Sequence, residues 1–204
     1  MQSGSSRGMT LALACLAAFT VWISWRAKAL ELRLFPGTES TALLHKPAPA
    51  FTLKALDGST VSLADFRGKK SVAITFWASW CGPCRVELPA LRAFYRTAHK
   101  PGSDFEILAI SIDDDKSAAE GYATTAKLPF PVLWDDSQKA SDLYGVDSIP
   151  QLFVVDQNGV VTWSAAGYEP AFEFALANAL GIKNYTPAVT PPKTDSGGAD
   201  AAGN

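Results

Sequence analysis

Histidine, methionine and cysteine are scarce in this chain: two His, two Met and three Cys among 204 residues. Three cysteines are too few for a disulfide scaffold, and no second Cys-x-x-Cys accompanies Cys81 and Cys84. The histidines, His45 and His99, stand far apart without the spacing of metal ligands, so a zinc site built on the cysteine pair has little support. Basic charge is not in surplus. With a net charge of −2 there is nothing to draw a phosphate backbone, and nucleic acid is not an expected partner. No internal repeat is visible.

What is present fits one globular domain with terminal segments, since 48% of the residues are hydrophobic and 19% charged. Gly8 to Trp25 is a run of 18 uncharged residues that reads as membrane-directed. It lies at the lower limit for a spanning helix and above the length of an ordinary signal core, so both readings stay open. Ala27-Lys28-Ala29 resembles a cleavage site, whereas Trp22 and Trp25 suit an interfacial belt and a retained anchor. Arg26, Lys28 and Arg33 outnumber Arg7 plus the amino terminus, which weakens an N-inside orientation. Cys15 falls within the run and is taken as a passive membrane residue. The expected organisation is a signal sequence or transmembrane anchor at 1–30, a linker at 31–45, one folded domain at 46–182 and a disordered Pro/Ala/Gly tail at 183–204.

Within the domain, Phe51–Leu56 and Thr60–Leu63 flank Asp57-Gly58, a hairpin signal expected to form an antiparallel edge. Val72–Trp77 and Phe105–Ile112 are continuous apolar runs of the kind found in strands covered on both faces. A helix is expected from Cys84 to about Thr97 with a kink at Pro89, and another from Lys116 to Thr125 capped within Asp113-Asp114-Asp115. A short strand ends at Trp134, a helix at Ser137–Tyr144 closes on Gly145, and Leu152–Val155 pairs with Val160–Trp163 across Asn158-Gly159. Pro170–Leu180 is a last helix stopped by Gly181. The order hairpin, βαβαβα, hairpin, helix predicts an α/β fold: a mixed central sheet flanked by helices, with an N-terminal hairpin extension.

The chemistry is concentrated at Trp80-Cys81-Gly82-Pro83-Cys84, where a buried strand runs into a helix. Two thiols at this spacing can close a small disulfide ring, which constrains too little chain to be purely structural. With Cys81 at the helix N-terminus, the macrodipole and free backbone N–H groups favour its thiolate. Cys81 is then the candidate nucleophile and Cys84, one turn inside, the resolving thiol. Glu87 lies three residues past Cys84 on the same helix face, and spacing alone fits a solvated carboxylate as well as a proton acceptor.

Trp80-Cys81-Gly82-Pro83-Cys84, then Glu87 and Pro89, and later Ile149-Pro150 resemble the thioredoxin superfamily, and within it the membrane-tethered TlpA/ResA-like thiol–disulfide oxidoreductases. Lys46 to Leu53, Leu56-Asp57-Gly58 and Val61-Ser62-Leu63 are similar to the opening of these domains and of peroxiredoxins, of the AhpC/TSA redoxin type. The resemblance implies a thioredoxin-like fold over 46–182, a redox-active Cys81–Cys84 disulfide, and Glu87 as the proton acceptor for Cys84. It also implies a cis Pro150 opposite the cysteines, with Ile149 offering backbone to a substrate peptide and Trp80, Gly82 and Pro83 lining the same surface. Thr75 occupies a strand position where many cytoplasmic thioredoxins carry a buried aspartate, so any carboxylate base here is expected to be Glu87.

The function implied is reduction of protein disulfides outside the cytoplasm, on the periplasmic side, for example in cytochrome c maturation. Its partners would be protein disulfide or dithiol substrates and a membrane electron donor, with no cofactor and no metal. Two other functions remain at this point. A peroxiredoxin shares the opening segment but requires a Pro-x-x-x-Thr pattern that is missing around Cys81. A thioredoxin-like metallochaperone or binding module would keep the fold without turnover.

Overall fold

The computed structural model describes residues 41–187, and the expected anchor, the linker up to residue 40, Cys15 and most of the tail lie outside them. Two apolar runs form its middle: β3 (Ser71–Trp77) and β4 (Phe105–Ser111) pair in parallel along their whole length, from Ser71 opposite Phe105 to Trp77 opposite Ser111. Such strands read as unbroken apolar segments because helices cover both faces. Short β5 (Val132–Trp134) extends the parallel set beyond β4.

The two predicted hairpins form the flanks. β1 (Thr52–Ala55) and β2 (Thr60–Ser62) pair antiparallel, and β1 also joins β5 with Lys54 opposite Trp134. On the other side, β6 (Gln151–Val155) pairs antiparallel with β3, and β7 (Val161–Ala166) with β6. The result is one mixed sheet of seven strands in the order β2-β1-β5-β4-β3-β6-β7. Asn158-Gly159 makes the β6–β7 turn, where Gly159 takes φ +83°, a conformation that favours glycine.

Among the described residues four α-helices cover the sheet: α1 (Cys84–Ala98), α2 (Lys116–Ala126), α3 (Lys139–Tyr144) and α4 (Phe172–Ala179). Side-chain alternation along β3 divides the core into two layers. Ala73 and Trp77 face Leu88, Leu91 and Phe94 of α1, Ala119 of α2 and Leu176 of α4. Ile74 and Phe76 face Ala140 and Tyr144 of α3, with Phe51 and Phe153. Tyr185 packs at a tilt against Phe94, ring centroids 4.9 Å apart, so packing continues past residue 182.

Two boundaries differ from expectation for identifiable reasons. α3 starts at Lys139 and α4 at Phe172, later than Ser137 and Pro170, because Gln138 (φ 54°) and Ala171 (φ 67°) adopt left-handed conformations just before them. α1 starts at Cys84, with Pro83 as its cap, so Cys81 lies just outside the helix and Cys84 is its first residue. α1 also runs through Pro89. The carbonyl that Pro89 leaves without an N–H is that of Arg85, which instead accepts the Tyr122 hydroxyl at 3.4 Å.

Asp135, buried where β5 ends, accepts backbone N–H bonds from Ala140 at 3.1 Å and Ser141 at 2.8 Å, and these bonds start α3. Asp135→Ala leaves both donors unpaired and is expected to lower stability by about 1–3 kcal/mol in urea denaturation, with a smaller loss for Asp135→Asn. A loss no larger than that of Asp136→Ala, at an exposed neighbour, would show that water replaces the carboxylate.

Candidate active site

Six residues, Ala78 to Pro83, carry the chain from the end of β3 into α1. They turn tightly, with the Cys81 N–H donating to the Ala78 carbonyl at 3.2 Å. Cys81 and Cys84 are joined by a disulfide with their Cα atoms 5.3 Å apart. The first helical N–H, that of Cys84, points at Cys81 Sγ at 3.2 Å, so the free amide at the helix start serves the first sulfur. In the reduced state the same amide would donate to a thiolate.

The two cysteines differ in access. Cys81 keeps 5% of its surface open, beside exposed Gly82 and Pro83 and a Trp80 that is 69% exposed, while Cys84 is fully covered. Opposite them the Ile149–Pro150 bond is cis, and the Ile149 carbonyl oxygen lies 3.6 Å from Cys81 Sγ. Thus Trp80, Cys81, Gly82, Pro83 and Ile149 share one surface at the C-terminal edge of β3, with Pro150 buried behind it. Trp77 is fully buried, as expected.

Glu87 is not a solvated carboxylate: it is 2% exposed and accepts a hydrogen bond from Thr75 Oγ1 at 3.0 Å. Desolvation pushes its pKa from the ordinary 4.5 up to about 8, and the Thr75 hydroxyl opposes that rise only in part. Its burial could have been found in the sequence. Cys84, Glu87, Leu88, Leu91 and Phe94 recur at helical spacing and are all buried, so the glutamate belongs to the apolar stripe of α1. Its charge also helps raise the pKa of Tyr168, after burial and Glu173, which puts that tyrosine within its electrostatic range.

Other contacts had no clear sequence signal. Thr75, expected only as a missing acid, is the hydrogen-bond partner of Glu87. Asp115 caps α2 through the Ser117 N–H at 2.9 Å, but Asp113 reaches back to Ser79 in the loop before Cys81. Arg85 lies over the Tyr122 ring, 5.6 Å from its centroid. Among the described residues, no group of three or more His, Cys, Asp and Glu is arranged to hold a metal.

Comparison with known proteins agrees with this geometry. The model of the AhpC/TSA family matches residues 44–164. The thiol-disulfide oxidoreductase ResA of Geobacillus thermodenitrificans is 38% identical over 125 residues, covering 61% of this chain and 70% of that protein. ResA of Bacillus subtilis is 29% identical over 160 residues, covering 78% and 82%. Among solved structures, the thioredoxin domain of a thiol-disulfide oxidoreductase from Bacteroides vulgatus superposes with a TM-score of 0.59 at 27% identity, over 67% of this chain and 97% of that one.

The raised pKa of Glu87 has a consequence for stability with a definite sign. Between pH 4.5 and about 8 the folded protein holds a proton that the unfolded chain has released. Stability is therefore full below the lower value and falls as pH rises, by at most about 1.4 kcal/mol per pH unit. Urea denaturation of the oxidised protein and of Glu87→Gln across this window is expected to show a slope in the wild type that the variant loses. Parallel curves would mean that Glu87 ionises freely in the fold.

Proposed function

The chain belongs to the AhpC/TSA family and is a thiol–disulfide oxidoreductase, and we propose that it reduces protein disulfides with Cys81 as the attacking and Cys84 as the resolving thiol. The observation that carries the assignment of roles is the difference between the sulfurs. Cys81 opens beside Trp80, Gly82 and Pro83 and receives a helix-start N–H, whereas Cys84 is sealed in the core.

In the reduced enzyme the Cys81 thiolate attacks one sulfur of a substrate disulfide. The substrate S–S bond breaks, one sulfur leaves as a thiolate that takes a proton from water, and a mixed disulfide forms on Cys81. The substrate strand lies along Ile149 and Pro150, with Trp80, Gly82 and Pro83 against its other side. Cys84 then gives its proton to Glu87 in its ionised form, whose share grows as pH approaches 8, and attacks Cys81 Sγ, releasing the second substrate thiolate and closing the enzyme disulfide. Two electrons pass from enzyme to substrate. A Glu87 pKa of about 8 lies close to the ordinary thiol value of about 8.5, so the proton moves between nearly matched groups. The oxidised enzyme ends with Glu87 protonated, the form favoured by its burial.

The family resemblance extends the proposal to the setting: a domain on the extracytoplasmic, periplasmic side, held by a segment near Gly8–Trp25 and re-reduced by a membrane dithiol donor, with cytochrome c maturation as the pathway. Cleavage after Ala29 would release it instead. Among the described residues no helix is long and apolar enough to cross a membrane, and the segment in question lies outside them.

Cys84→Ser is expected to trap substrates as mixed disulfides on Cys81, seen on non-reducing gels; trapping by Cys81→Ser alone would reverse the roles. Glu87→Gln keeps the shape and removes the base, and insulin-disulfide reduction is expected to slow by at most roughly 10²–10⁴-fold, with an altered pH profile. An unchanged rate and unchanged thiol titration would remove Glu87 from the cycle. Fractionation of cells carrying the full chain, with protease protection, is expected to find the domain outside the cytoplasm. A free cytoplasmic domain would rule out both the anchor and the secretion readings.

A further inference from the structure

The loop that presents Cys81 is held from outside its own helix. Asp113, 3% exposed just beyond the end of β4, directs both carboxylate oxygens at Ser79, 34 residues away in sequence and two before Cys81. The Ser79 N–H is shared between Oδ1 at 3.1 Å and Oδ2 at 3.0 Å, and the Ser79 hydroxyl donates to Oδ1 at 2.7 Å. Asp113 is itself held at three points. The buried Ser111 hydroxyl donates to Oδ2 at 2.8 Å and accepts the Asp113 N–H at 3.1 Å, and Trp134 Nε1 donates to the Asp113 carbonyl at 2.7 Å. Nearby, the Ile112 N–H bonds the Trp77 carbonyl at 2.9 Å. The C-terminal ends of β3, β4 and β5 are thereby tied to a loop that has no secondary structure of its own.

None of these bonds serves α2, whose cap is Asp115. From this we infer that Asp113 is a positioning residue for the oxidoreductase reaction: it fixes Ser79 so that Cys81 Sγ meets the Cys84 N–H at the start of α1 and faces Ile149. Hydrogen bonds to a charged sulfur weaken steeply with distance and angle, and the helix-terminus field is confined to the first turn. Loosening the loop by a fraction of an ångström therefore reduces what stabilises the thiolate. The carboxylate has a second influence of opposite sign, since a negative charge close to Cys81 disfavours its thiolate. Positioning and charge therefore predict opposite shifts when Asp113 is replaced.

The inference rests on Cys81 being the attacking thiol, and the test separates the two. The pH dependence of thiolate absorbance and of iodoacetamide alkylation is measured in the reduced wild type, Asp113→Asn and Ser111→Ala, with the modified cysteine identified by mass spectrometry and thermal stability recorded alongside. The charged and titratable groups around the pair stay in place throughout: Arg85 and Glu87 on α1, Tyr122 on α2 and Tyr168 after β7. Asp113→Asn removes the charge and puts an amide donor against the Ser79 N–H. It is expected to raise the Cys81 pKa, to slow alkylation at neutral pH roughly tenfold, and to shift the glutathione equilibrium by a similar factor, about 30 mV, toward the disulfide. Ser111→Ala keeps the carboxylate and removes only its hydroxyl tether, so it is expected to move the pKa the same way by less; it serves alone if Asp113→Asn does not fold. A lowered pKa would mean that Asp113 acts through its charge and would overturn the inference. So would an unchanged titration with lowered thermal stability, the signature of packing alone. If alkylation in the wild type falls on Cys84, the assignment of the attacking thiol fails instead.

Discussion

A strand buried from its second residue to its last that must become a helix within six residues has to find partners for every backbone group it exposes on the way, and the active site is the set of partners found. The Trp77 carbonyl goes to Ile112, the Ser79 N–H to Asp113, and the Cys81 N–H back to Ala78. The Cys84 N–H goes to the sulfur of Cys81. In the roles proposed for the two cysteines, that last bond favours reactivity at Cys81, because a sulfur is a weak acceptor when neutral or in a disulfide and a much better one as a thiolate. A helix start left one donor short of an oxygen is thus a place where a cysteine gains from ionising.

Burial of the second half of the site follows from the same geometry. Once Cys84 is the first residue of α1, the stripe that faces the sheet must include position 87, and the chain places a glutamate there among Leu88, Leu91 and Phe94. A carboxyl group in that setting has one partner, Thr75, and keeps its proton near neutrality. In the role proposed for Glu87, the fold accepts reduced stability at alkaline pH in exchange for a proton acceptor that is out of bulk water and matched to a thiol. A surface glutamate, with a pKa near 4.5, would be a poor base for Cys84 and would stabilise nothing.

Much of this was legible in the sequence where local chemistry and tertiary demand agree. Val72–Trp77 and Phe105–Ile112 read as central strands because both their faces are covered, and Asp57-Gly58 and Asn158-Gly159 marked hairpins because their backbone needs leave few other choices. The cysteine pair and its position at the sheet edge were legible for the same reason. Other features were not, because the deciding contact is remote. Asp113, Asp114 and Asp115 are indistinguishable as a run of acids. Only the end of β4 turns one of them inward to Ser79 and leaves another to cap α2. Gln138 and Ala171 carry no glycine-like mark, yet their left-handed conformations delay two helices.

The segment from α2 to β5 can be understood in the same terms. It lies between the cysteine unit and the cis-proline unit in sequence; one of its aromatic donors ends on Asp113, which holds Ser79 of the active-site loop, and another on the helix that follows the loop. Trp134 Nε1 reaches the carbonyl of Asp113, and the Tyr122 hydroxyl takes the Arg85 carbonyl that Pro89 leaves open. The Tyr122 ring also packs at a tilt against Trp77, the last residue of β3 before the turn, with ring centroids 5.4 Å apart. Pro89 therefore does more than threaten a kink: by withholding an N–H it frees an acceptor one residue past Cys84, and α2 docks there. In a helix without that proline the Arg85 carbonyl would also accept a helical N–H, and Tyr122 would share it. The proline and the tyrosine thus act as a pair, joining α2 to the first turn of α1 through a contact separate from the Asp113 tether.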